Sequence, residues 1–402
     1  MLLKIIALAA LVWAGAATSA AQTPAEQFRN ALSRQAAFTA DEFGALERGE
    51  MVVKLLPSAD KREVAFCGVM RLQGMPATVL AAFKESLTQD NRALLGGGRI
   101  GTPPTLADLL PLTLENSDLE NIGQCSVGNC KLKMSAAMIG RLQREVNWDA
   151  PDHALQANRL FQSMLFDYVR DYLARGDAAL IEYDDREHTV HLAQEQSSLL
   201  TSLPFINDSA PEFAAYLRGF PRRELPGVEN TLRWSRIRFG LKPVIVVTHT
   251  ATYARQQDNS RQIFAATKHL YANHYIDASF SLTFLMNVPA DGVASDTTYL
   301  AYFNRSRADA FGGLFGSLKR RVVESGVLDG LHDVLQQTER NVQIHLRDQQ
   351  GPTPQAVDET AGVRVWAQRL LTDVRLFVPA LLIVAGVLAM WLGMSYRKRA
   401  MH

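Results

Sequence analysis

Between Leu376 and Met394 the chain runs for 19 residues without one charged side chain. As a helix rising 1.5 Å per residue this run spans about 28 Å, close to the hydrocarbon thickness of a bilayer. Pro379 falls in the first turn, where a helix tolerates it. Trp391 and Tyr396 suit the interface, and Arg397-Lys398-Arg399 forms a basic stop. The run is apolar all round, unlike a surface helix, and the charges after it argue against a lipid-anchor signal. A second, shorter apolar run, Ile5 to Ala16, follows Lys4 and precedes the small residues Ala17-Thr18-Ser19-Ala20-Ala21. That is the pattern of a cleaved secretory signal, and no cysteine stands there to carry a lipid. Arg364, Arg369 and Arg375 balance the basic residues beyond the long run, so the signal sets the orientation. The predicted plan is a signal peptide over 1–21, an exported domain over 22–347, a linker over 348–375, a transmembrane helix over 376–394 and a cytoplasmic tail over 395–402. The expected location is a bacterial inner membrane, crossed once, with the bulk of the chain in the periplasm.

The roughly 330 residues left for the exported part are enough for one large domain or two small ones. Apolar residues make up 47% and charged residues 21%, which is globular composition. A formal net charge of +1 leaves no basic footprint for nucleic acid. With three cysteines the domain depends on its core and not on a disulfide framework.

Along this part, the periodicity predicts helices over Ala25 to Phe38 and, opened by the capping box Thr39-Ala40-Asp41-Glu42, just beyond it. Arg62 to Arg71 reads as a strand and Pro76 to Leu87 as a helix. Asn91 to Pro104, rich in Gly and Pro, reads as a loop. Asp118 to Met134 reads as a hairpin that sets Cys125 opposite Cys130, placing the pair for a disulfide, with metal binding as the alternative. Helices follow from Ser135 to about Val146 and from Pro151 to Gly176, then a short strand at Ala178 to Tyr183, then helices at Leu192 to Leu203 and Pro211 to Arg218. Pro243 to Thr248, Gln262 to Tyr275, Ile276 to Val288 and Thr297 to Asn304 are strand candidates. Arg305 to Arg347 reads as a long helix with Gly312, Gly316, Gly326 and Gly330 inside it; these permit close packing or break the helix near Gly326. The expected class is α+β: an antiparallel sheet with a long C-terminal helix packed on it, a helical insertion and the transmembrane helix.

No nucleophile elbow, phosphate loop, zinc-protease helix or dinucleotide fingerprint is present, and no cofactor is expected. The residues singled out for ligand binding are Tyr271, Tyr275 and His274 on a polar-aromatic strand, and Arg305 where the last strand meets the last helix. For the two tyrosines, core packing is the competing reading. Asn304 to Asp309 is either an anion site at the helix start or a helix cap. Tyr183 to His191 gathers Asp184, Asp185, Glu187, His188 and His191, a metal site or a solvated loop. Lys319-Arg320-Arg321 reads as a solvated face or a contact with acidic lipid. Cys67 reads as a buried thiol.

The order of elements resembles the helix-grip arrangement of START-like domains: a strand (Arg62 to Arg71) leading into a helix (Pro76 to Leu87), closing antiparallel strands, and a long final helix from Asp309. The resemblance spans Arg62 to Arg347, with the helical insertion from Ser135 to Gly219 as an addition. It implies a curved sheet gripping the last helix around an apolar cavity, and binding of a lipid or other hydrophobic ligand. Two further functions stay open: a structural or assembly factor for another envelope protein, and an enzyme whose site would draw on His249, His269 and His274.

Overall fold

A computed structural model describes residues 23–350 apart from 88–93, 240–241, 258, 288–296 and 309–315. The expected signal peptide and the apolar run from Leu376 lie outside the described residues. Within them, no helix is long and apolar enough to cross a membrane.

Eight strands form one antiparallel sheet: β1 (Val52–Leu55), β2 (Glu63–Gln73), β3 (Leu94–Ile100), β6 (Val228–Phe239), β7 (Lys242–Gln257), β8 (Ser260–Ala272), β9 (Ile276–Asn287) and β10 (Thr297–Ala308). Their spatial order is β1-β2-β10-β9-β8-β7-β6-β3. From β6 to β10 each strand pairs with the next along the chain, and β10 closes against β2. A two-stranded ribbon, β4 (Glu182–Tyr183) with β5 (Val190–His191), stands apart.

Helices cover both faces, which is why the central strands are buried almost throughout. On one face lie α3 (Pro76–Ser86) and α10 (Gly316–Gln350). Val79, Leu80 and Phe83 of α3 and Val323, Val327, Leu331 and Leu335 of α10 pack on Val64, Phe66, Met70, Leu285, Leu300 and Tyr302. The buried positions of α10 recur every four residues, the spacing that keeps one helical stripe on a sheet. Asn341 of α10 donates to Ser86 Oγ at 3.0 Å and so ties the two helices together.

The opposite face carries the larger core. It is roofed by α1 (Pro24–Ala36), α2 (Ala40–Glu47) and the insertion between β3 and β6: α4 (Asn116–Ile122), α5 (Ala136–Glu145), α6 (His153–Arg175), α7 (Leu192–Thr201), α8 (Pro204–Ser209) and α9 (Pro211–Gly219). Phe205 of α8 meets Phe284 and Phe303 with ring centroids 5.0 and 5.3 Å away. An ionic cluster binds this roof to the sheet: Glu195 of α7 pairs with Arg307 and Arg62, Glu63 pairs with Arg305 and Arg307, and Asp277 pairs with Lys133.

Several expectations are corrected. Leu94 to Ile100 is an edge strand, not loop; its glycines accommodate a cross-strand indole, since a Cβ on Gly98 would lie 2.7 Å from Trp234 Nε1. Asp118 to Met134 opens with helix α4, whose Leu119 and Ile122 are buried, and among the described residues of this stretch a single isolated bridge joins Ser126 to Asn129. Cys125 and Cys130 are nevertheless joined, S–S 2.09 Å, across that turn. Ala178 to Tyr183 is a 3-10 turn followed by a two-residue strand. Strand β6 was not expected, β7 runs on to Gln257, and Arg305 to Ala308 continues β10 instead of beginning the helix. Helix α10 runs unbroken through Gly326 and Gly330.

Candidate functional site

Strand alternation sorts every side chain of the sheet to one face or the other. In β9, Ala278, Phe280, Leu282, Phe284 and Met286 belong to the core under the insertion. The alternating residues Ser279, Ser281 and Thr283 therefore face the α3–α10 side. Register extends this polar character across the sheet. Thr231, Thr250, Thr267, Ser281 and Asn304 stand opposite one another in turn. The next row toward Gln257 holds Glu229, Thr252, Ala265, Thr283 and Tyr302. The next row toward Lys242 holds Arg99, Arg233, Thr248 and His269.

The result is a polar belt, most of it buried, across the middle of the face that the two helices grip. Apolar groups flank it on both sides. One is the core under α3 and α10; the other is a separate cluster of Ile237, Val244, Val246, Ala272 and Ile276. Part of the belt satisfies itself: the Thr250 and Thr267 hydroxyls lie 2.9 Å apart, those of Ser279 and Ser306 2.8 Å apart, and Ser306 donates to Asn304 at 2.9 Å.

Two belt groups are not satisfied by ordinary hydrogen bonds. The Tyr302 hydroxyl, close to Ser281 and Asn304 and ringed by Phe83 and Phe66, makes none of normal geometry. His269 is 3% exposed and its Nδ1 has no partner among the described residues. Burial pushes its pKa down to about 3, so the ring is neutral and offers one donor and one acceptor. An unmet buried polar group costs about 1–3 kcal/mol, which is unusual to carry in a sheet centre without use. Beside it in the same row, Arg233 is 7% exposed and faces Arg99 across the β3–β6 pair. Burial, and then the Arg99 charge, hold its pKa down to about 10.

The residues singled out from sequence lie elsewhere. Tyr271 is fully buried on the insertion face, donates to the Lys133 carbonyl at 2.9 Å and packs between Phe161 and Tyr183. His274 sits in the β8–β9 turn with Nε2 3.1 Å from both carboxylate oxygens of buried Asp118, which Lys242 also contacts at 2.8 Å. Tyr275, beside it, has a left-handed backbone, φ 58°. Arg305 points to the insertion face and pairs with Glu63. The structure thus leaves Tyr271 in the core, His274 and Tyr275 at one turn and Arg305 in the ionic cluster, and brings none of them to the belt.

The three histidines suspected of chemistry do not converge either. His249 lies on the insertion face between Tyr172 and Asn230, 2.8 Å from each; burial and then the Lys268 charge push its pKa down to about 3. His269 lies on the other face and His274 at the turn. No group of three or more metal-ligating side chains occurs among the described residues; His191 contacts Glu182 at 2.9 Å, and Asp184 accepts from the Ala136 amide at the start of α5. Within Asn304 to Asp309, Asn304 and Ser306 join the belt, Arg305 and Arg307 enter the ionic cluster, and Asp309 lies outside the described residues. Arg320 pairs with Glu324. Cys67 is fully buried and burial raises its pKa to about 12, an inert thiol.

Sequence reasoning missed the belt, apart from naming His269 and the segment that holds Asn304 and Ser306. The usable signal was the hydroxyl alternation in Thr248-Thr250-Thr252 and Ser279-Ser281-Thr283 on strands whose other face is mostly apolar.

No protein-family model, no curated protein and no solved structure matches the chain.

Proposed function

We propose that this chain is a ligand-binding domain of the bacterial envelope, exported and held at the inner membrane by its C-terminal apolar segment, that takes an amphipathic ligand between the α3–α10 pair and the polar belt. The observation that carries the reading is the belt itself: a band of hydroxyls, an amide and an imidazole whose Nδ1 has no partner among the described residues, enclosed between two apolar clusters. A fold needing only stability gains more from aliphatic side chains at such positions. A lipid-like molecule has the matching sequence of polar and apolar parts. The order β2-β10-β9-β8-β7-β6-β3, with α3 following β2 and α10 following the last strand, supports the START-like resemblance. A tether suits the role because it raises the effective concentration of the domain at the bilayer.

The test is native mass spectrometry of the full chain released from an uncharged detergent. A co-purifying molecule is expected on the wild-type chain and lost in Ser281→Phe, which sets an aromatic ring in the middle of the belt. A wild-type chain found only at its polypeptide mass, and silent in calorimetry toward short-chain amphiphiles, overturns the reading.

A further inference from the structure

We propose that the gap between β8 and β9, bounded by His269, Ser279 and Gln196, is the subsite for an uncharged hydrogen-bonding head on the ligand, in its simplest form a hydroxyl. The inference rests on the reading of this face as a ligand site and specifies the chemistry of the ligand's polar end.

Only Asn273 to Tyr275 separate β8 from β9, yet the two strands pair from Gln262–Met286 to Lys268–Phe280 and no further. The same register continued would set His269 opposite Ser279 and Ala272 opposite Ile276, and neither pair forms. Each strand is drawn off by its other neighbour. Against β7, Val247 and Thr248 face Tyr271 and His269, which leaves Leu270 as an extra residue in β8. Against β10, Arg307 and Ala308 face Ala278 and Ile276, which leaves Asp277 as an extra residue in β9. Bulges of this kind bend strands, and two of them side by side free backbone groups that a regular hairpin would pair.

Side chains from the insertion side meet those groups. Gln196 Nε2 of α7 donates to the His269 carbonyl at 2.7 Å and to the Ser279 carbonyl at 3.2 Å. The Tyr168 hydroxyl donates to the Leu270 carbonyl at 2.6 Å, and the Tyr183 hydroxyl accepts from the Ala272 amide at 2.9 Å. Two atoms are left over. Gln196 Oε1 and His269 Nδ1 have no partner among the described residues, and both side chains are buried. The Gln196–His269 bond places them at the same gap, the amide on the insertion side and the ring on the belt side. Gln196 Oε1 only accepts, and Nδ1 of a neutral ring donates or accepts according to its tautomer. A hydroxyl answers both, donating to Gln196 and accepting from His269. A carboxylate or phosphate dianion has no proton for Gln196 Oε1. The cations beside the gap, Lys133 and Lys268, are already paired with Asp277 and Asp177. An anion buried here would therefore carry its desolvation cost without a counter-charge of its own.

The experiment titrates the full chain, in a fluorinated-tail surfactant, with octan-1-ol and with octanoate at pH 7.5 by calorimetry. The two probes share a tail length and differ in the charge of the head. Octanol is expected to bind, and octanoate to bind at least about tenfold more weakly. His269→Phe, which keeps a ring and removes Nδ1, is expected to weaken octanol about tenfold. Its unliganded thermal midpoint is expected to hold or rise, since an unmet buried polar atom has been removed. His269→Asn, whose amide returns a polar atom near the place of Nδ1, is expected to restore octanol binding to within about threefold of wild type. If His269→Phe leaves octanol affinity unchanged, or lowers the unliganded midpoint together with affinity and His269→Asn rescues neither, the unmet atoms serve the fold alone and the inference falls. If octanoate binds the wild-type chain as tightly as octanol or more tightly, the inference falls and the ligand site survives. If neither probe binds and the purified chain carries no bound molecule, both fall.

Discussion

At the scale of single residues, the two buried imidazoles make the protein a pH-dependent structure. His249 and His269 are held neutral with pKa values near 3, far below the 6.5 of an exposed ring. The unfolded chain takes up those protons as pH falls below 6.5 and the folded chain does not. Folded stability is therefore complete above that pH and declines from it toward pH 3, by about 1.4 kcal/mol per histidine per pH unit. Urea unfolding followed by tryptophan fluorescence should show the full chain about 2–3 kcal/mol less stable at pH 5.5 than at pH 7.5. His269→Gln, a neutral side chain in the same place, should remove about half of that difference. An unchanged slope in that variant would show that His269 is protonated in the fold. Asp118 acts lower on the pH scale. Burial pushes its carboxyl up, but the His274 and Lys242 contacts outweigh this and leave it below its ordinary value. Its contribution is present at neutral pH and is lost only in strong acid.

At the scale of elements, the grip depends on how closely α10 approaches β2. Gly68 is the reason it can. A Cβ there would lie 2.8 Å from both Leu331 Cδ2 and Leu335 Cδ1, and those leucines are fully buried, with nowhere to move. Gly68→Ala should cost about 1–3 kcal/mol through overpacking, read as a lower urea midpoint with an unchanged slope. No loss of stability would mean that the helix can lift from the strand. The elements themselves were legible where one periodicity dominated: α3 and α6 from their stripes, β8 and β9 from β-branched and aromatic runs. Strand β6, Val-Glu-Asn-Thr-Leu-Arg-Trp-Ser-Arg-Ile-Arg-Phe, was not, because its polar alternation is indistinguishable from a solvated segment until a second layer covers it. β3 was hidden by Leu-Leu-Gly-Gly-Gly, which reads as a breaker unless the indole of Trp234 is known to lie across it. The belt was missed for the same reason. Alternating Ser and Thr report that one face of a strand is polar, and cannot report that helices α3 and α10 come to lie over it. Tyr271, Tyr275, His274 and Arg305 drew attention as dense polar and aromatic residues; Tyr271 lies in the core, His274 and Tyr275 at a turn and Arg305 in the ionic cluster.

At the scale of the whole molecule, the two faces of the sheet divide the labour. The insertion face holds the larger core and the ionic cluster of Glu63, Glu195, Asp277, Arg62, Arg305, Arg307 and Lys133, which fixes the roof to the strands. The other face is roofed by only two described helices and carries the belt. The cluster and most aromatic contacts lie on the insertion side. The proposed topology gives this asymmetry a setting. Polar residues from Asp348 to Gly362, with Pro352 and Pro354 among them, separate the end of α10 from the apolar run at Leu376. A protease reaches such a segment more readily than the buried strands. Protease added to intact spheroplasts should therefore cut near this segment and release the body as a folded, soluble fragment that still takes up the amphiphilic probes. A body that stays with the spheroplasts, uncut until they are lysed, would place the domain in the cytosol. It would remove the envelope from the proposal while leaving the belt to be explained by a cytosolic ligand.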